Sequence, residues 1–119
     1  MKNIPSDLSI IQDWAKEVSF AVTICDCEGY VLYMNDKAKA TFAKSGDVIG
    51  KNLKDCHSPR SWEIILDLLA TGRHNMYTID KAGLKKLIYQ TPWYKDGKLG
   101  GLVEISIVLD ENMPNYVRG

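Results

Sequence analysis

Little in this chain is out of balance, and each missing excess removes a class of function. Fifteen Lys and Arg residues meet fifteen Asp and Glu, so the formal net charge at pH 7 is zero. That leaves no electrostatic footprint for nucleic acid or an anionic membrane surface. No apolar run approaches the ~20 residues that a membrane-spanning helix requires. Residues 1–6 carry one lysine and no apolar stretch, so no signal peptide is visible. Cysteine is scarce and odd in number, with three in all. Cys25, Cys27 and Cys56 suggest no disulfide framework, which points to a reducing, cytoplasmic setting. A glycine-rich phosphate loop, a Ser-His-Asp order and a paired-carboxylate element are all missing, and the adjacent Asp55, Cys56 and His57 rarely converge as catalytic groups, so an enzyme has little support. No internal repeat or low-complexity tract interrupts the chain.

What is present is one domain's worth of ordinary globular sequence. The 119 residues suit a single domain, and a chain of this length buries about two-thirds of its unfolded surface. Pro5, Ser6 and Asp7 open a helix, with Asp7 complementing its positive end. Ile11, Trp14, Ala15 and Val18 then form one apolar stripe. Such a helix covers either its own sheet or a second copy of the chain, and an exposed Trp14 favours the second. Residues 19–25 and 30–34 read as a β-hairpin around a turn ending in Gly29. Asn35 or Asp36 caps a short helix, which Ser45 and Gly46 stop. Ser58 and Pro59 start a longer one, with Trp62, Ile65, Leu66 and Leu69 on one face and Gly72 closing it. Three strands follow, at 76–79, 84–94 and 100–109, joined by turns at Ala82-Gly83 and Asp96-Gly97. The result is a five-stranded antiparallel sheet with helices on one face, an α+β domain. The segments are an N-terminal amphipathic helix at 1–18, the domain proper at 19–109 and a polar tail at 110–119.

This order and its punctuation resemble a PAS domain. The marks are Asp26 and Gly29 in the first turn, Asn35 with Ala38 after the second strand, Gly50 before the middle helices, and Asp96-Gly97 between the last strands. Gly50-Lys51-Asn52 through Cys56-His57-Ser58-Pro59 is similar to small bacterial and archaeal PAS modules with a Cys-His-x-Pro element. The resemblance implies a sensory or interaction module, standing alone or cut from a longer chain. Such a module binds a small molecule or cofactor between sheet and helices, or binds none and serves as a dimerisation part. It implies a homodimer through the N-terminal helix and a signalling protein as a further partner.

Within that frame, Asn52, Cys56, His57, Trp62, Tyr89 and Ile105 are the candidate ligand-binding residues, with Thr91 and Ile107 also expected to face the cavity. His57 either offers an imidazole to haem iron or hydrogen-bonds the loop around Ser58. Haem-binding PAS domains usually carry that histidine on the following helix, which here has none. A flavin is the other cofactor considered. Leu53 stands where the photoactive flavin-binding subgroup has its cysteine, so adduct chemistry is rejected. Neither cofactor is favoured. Cys56 beside His57 raises the option of a reactive thiolate. Cys25 and Cys27 read as small side chains at a hairpin, since no paired metal ligands lie nearby.

Overall fold

The computed structural model describes residues 9–43 and 46–119. Helix α1 spans Ser9–Lys16; the helix start expected at Pro5 and the stop at Ser45 lie outside the described residues. Strands β1 (Ala21–Asp26) and β2 (Val31–Met34) form the first hairpin. Asp26 builds its turn by accepting from the backbone N–H groups of Glu28 and Tyr30, each at 2.9 Å. Helix α2 (Asp36–Thr41) and a 3-10 turn (Leu53–Cys56) lead to α3 (Pro59–Thr71). Strands β3 (Asn75–Lys81), β4 (Leu84–Lys95) and β5 (Lys98–Val108) close the fold. The sheet is antiparallel throughout, in the order β2-β1-β5-β4-β3.

The local signals act as their chemistry requires. Ser58 caps α3 by accepting from Ser61 N–H at 3.2 Å, Pro59 follows at the first helical position, and Gly72 ends the helix. At the β4–β5 turn, Asp96 and Gly97 both take positive φ (51° and 79°), the two-residue geometry that matches strand twist. Pro92 falls beside a bulge at Trp93/Tyr94, where a strand tolerates it. Gly101 is needed for space, because a Cβ there would sit 1.9 Å from the Cys25 carbonyl oxygen.

Helices pack on one face of the sheet. Ile65, Leu68 and Leu69 of α3 meet Cys25 and Leu102, while Val31, Met34, Ala38 and Val48 form a second cluster under α2. Trp62 packs partly buried against the first cluster, but Leu66 is exposed. The buried stripe of α3 is therefore 62, 65, 68 and 69, and Leu66 falls one residue off it.

Asn35 joins the pieces. It is 1% exposed. Its Oδ1 accepts from Val22 N–H at 2.9 Å and Ala38 N–H at 3.0 Å. Its Nδ2 donates to the carbonyls of Ala15 at 2.9 Å and Phe20 at 2.8 Å. One side chain thus fastens α1, β1 and α2. Lys16 and Asp36 add an exposed ion pair at 3.1 Å. Trp14, the residue whose exposure bears on self-association, is 51% exposed beside Phe20.

Candidate functional site

Alternation along the strands decides which side chains face the helices. Register places Asn75, Gln90, Glu104 and Thr23 in one cross-strand row, and Tyr77, Ile88, Ser106 and Ala21 in the next. Both rows look toward α2, the 3-10 turn and α3, and together they floor a cleft. Its part nearest α2 has a volume of about 170 Å³ and is lined by Phe42, His57, Tyr77, Ile88, Glu104 and Ser106, among others. A narrower pocket of about 10 Å³ continues between His57, Glu104, Gln90 and the α3 core. A third, of about 370 Å³, opens past Ser61, Ile64 and Asn75. His57 lines all three.

His57 hydrogen-bonds within its loop, the second of the two roles considered for it. Its Nδ1 lies 2.8 Å from the Leu53 carbonyl oxygen. A carbonyl only accepts, so Nδ1 carries a proton, while Nε2 accepts in the neutral ring and donates in the charged one. The hydrogen bond ties the loop to the turn before it, and the ring still lines the cleft.

A chain of amides crosses the floor. Asn75 Nδ2 donates to Gln90 Oε1 at 3.1 Å, and Gln90 Nε2 donates to Glu104 Oε1 at 3.1 Å. Burial pushes the Glu104 carboxyl above the usual carboxylate range, against the opposing effects of the Gln90 hydrogen bond and nearby His57. Burial and the Glu104 charge raise the Tyr77 hydroxyl in turn.

Of the six residues expected to bind a ligand, His57 alone lines the cleft. Tyr89 and Ile105 pair with Met76 and Val22 in a row on the opposite face. Tyr89 stacks on His74, with ring centroids 5.9 Å apart. Thr91 and Ile107 share the parity of Tyr89 and Ile105 and face the same way. Asn52 caps the 3-10 turn through Lys54 N–H at 2.9 Å and donates to the Glu28 carbonyl at 3.0 Å, stapling the loop to the first hairpin. Trp62 closes on Gly29, where a Cβ would lie 2.6 Å from its ring. Cys56 is exposed, and burial of its thiol followed by the Asp55 charge moves its pKa up. That is the wrong direction for a reactive thiolate. Cys25 is buried and pushed up to about 11. The residues that reading from sequence missed are Thr23, Asn75, Glu104 and Ser106. Their signal was the hairpin count back from Ala82-Gly83, which sets Asn75 opposite Gln90.

Neither cofactor considered fits this site. A tetrapyrrole or isoalloxazine ring needs a wide, mostly apolar slot at the upper end of the ~300–1,000 Å³ range of ligand pockets. Here the parts of the cleft lined by His57 are about 170 and 370 Å³, neither at that upper end, and Glu104 and Gln90 set a carboxyl and an amide into the floor. Among the described residues, no group of three His, Cys, Asp or Glu side chains could hold a metal ion. No helix among them is long and apolar enough to cross a membrane.

An antiparallel sheet in this order, with a helical crossing between its second and third strands, is a PAS fold. Solved structures bear this out. The PAS domain of BvgS from Bordetella pertussis matches at 20% identity and TM-score 0.64, over 91% of this chain and 90% of that one. A PAS domain from Colwellia psychrerythraea matches at 15% identity and TM-score 0.65, over 87% and 98%. The sensor region of a sensor histidine kinase matches at 23% identity and TM-score 0.57, over 74% of this chain but 38% of that one. At these identities the likeness is one of fold. No family sequence model matches the chain, and no curated protein matches it by sequence.

Proposed function

We propose that this chain is a sensory PAS module, without catalytic activity of its own, that binds a small molecule between helices and sheet. It passes the event to a signalling partner through movement of the sheet and its flanking helices. The observation that carries the reading is the floor of the cleft. Gln90 and Glu104 turn inward, where a merely structural sheet would place apolar side chains. The fold's likeness to the sensor region of a histidine kinase supports a sensory role. Three free thiols suit a reducing compartment.

Native mass spectrometry of the protein as purified, beside a Ser106→Trp variant that fills the cleft, tests this reading. A mass excess on the wild type, lost on denaturation and absent from the variant, is expected. Apoprotein mass for both, with no compound retained from a metabolite extract, would overturn it.

A second reading, docking or dimerisation without a ligand, draws on the exposed indole of Trp14. The two are compatible in a dimer joined through α1. Trp14→Glu is expected to convert dimers to monomers in light scattering, and a variant that stays dimeric removes α1 from the interface.

A further inference from the structure

Resting on the ligand-binding reading above, we propose that the cleft takes a small organic cation with at least two N–H donors, an amine or amidine, whose head sits between Glu104 and His57.

The argument is a count of donors and acceptors. Ionised Glu104 can only accept, so Gln90 must turn its NH2 toward it and its carbonyl toward Asn75. Asn75 then presents its NH2 to Gln90, as observed. Both N–H-bearing amides of the row thus direct a hydrogen into the row. The second Glu104 oxygen receives no hydrogen bond from a described residue. His57 directs its Nδ1 proton to Leu53, leaving Nε2 free toward the cleft, an acceptor in the neutral ring. Where the walls of the cleft converge, the one charged group is the Glu104 carboxylate, with a free acceptor oxygen; the Thr23, Tyr77 and Ser106 hydroxyls in the same lining can donate or accept and set no sign of their own.

Charge decides between a neutral donor and a cation. A carboxylate drawn out of water is costly unless paired, and a charge-assisted hydrogen bond is the stronger kind. Tyr77, in the same lining, adds an aromatic ring, a group that attracts cations. Lys81 and Lys86 also line this cavity. Lys86 lies four residues along β4 from Gln90, ~13 Å away, and flexible stems carry such ammonium groups toward water. An anion is drawn to that outer end and repelled from Glu104. Size sets the rest: a cavity of about 170 Å³ compares with the ~150 Å³ that seats a benzene ring.

Benzamidine is therefore a fitting probe, with benzamide and benzoate as neutral and anionic counterparts of the same shape. Isothermal titration at pH 7.5 is expected to show benzamidine binding at least 10-fold tighter than either. Glu104→Gln, which keeps the Gln90 hydrogen bond, should weaken benzamidine at least 10-fold and leave benzamide unchanged. Glu104→Asp, which keeps the charge, should recover part of the loss. Tighter binding of benzoate or benzamide, abolished by Ser106→Trp, would overturn the cation assignment while leaving the ligand site standing. No binding of any probe to the wild type would also overturn the assignment, and the ligand site is then judged by the mass spectrometry above.

Discussion

Glu104 sets two demands against each other. A carboxyl held above its usual range binds its proton more tightly folded than unfolded. Between the unfolded value, ~4.3, and the raised folded value, the native state therefore holds more protons. Stability falls as pH rises through that window and stays lowered above it. Glu104→Gln is thus expected to raise the melting temperature at pH 8, with the gain shrinking to nothing near pH 4. A gain that persists in acid would show that ionisation is not its source. The same substitution is expected to weaken a cationic ligand. Retaining a destabilising acid in a cleft is the trade a binding site makes. The thiols contrast with it: Cys56 is expected to alkylate no faster than free cysteine at pH 7.5, read by mass spectrometry.

Among the elements, the punctuation was legible and the facing was not. Asn35, Ser58-Pro59, Gly72, Ala82-Gly83 and Asp96-Gly97 each act through local backbone chemistry, and each stands where the sequence indicates. The cleft depended on which side of β5 points inward. Val103, Ile105 and Ile107 alternate as apolar residues, the usual mark of a core face. Yet the helix-facing side is the other one, and its character changes along its length. Leu102 packs with Cys25 under α3, whereas Glu104 and Ser106 floor the cleft. No single period describes such a strand. The bulge at Trp93/Tyr94 further shifts the β4–β5 register beyond what the Asp96-Gly97 turn implies. Helix α1 is a separate case. A buried amide, Asn35, ties it to the domain. Asn35→Ala would leave the Val22 and Ala38 N–H groups and the Ala15 and Phe20 carbonyls without this partner. At ~1–3 kcal/mol per buried group left unsatisfied, a loss of at least ~3 kcal/mol is expected in urea unfolding. A loss below ~1 kcal/mol would mean that water replaces the amide.

On the scale of the whole molecule, the cleft lies under the middle of the sheet and β3 forms one edge. The Asn75–Gln90–Glu104 row runs between them, across three strands and ~10 Å. Each amide in it must turn its NH2 one way and its carbonyl the other. The row therefore has a polarity, and that polarity is set by its terminal acid. An ionised Glu104 can only receive; a protonated one can give its hydrogen to a carbonyl, which favours reversal of Gln90 and then of Asn75. We expect the side-chain amide resonances of Asn75 and Gln90 to shift together as Glu104 titrates, and to stay fixed in Glu104→Gln; independent shifts would show that the row does not act as one. The sheet then holds one binary digit, written by charge in the cleft and read at its edge as the exchange of an NH2 for an oxygen on Asn75.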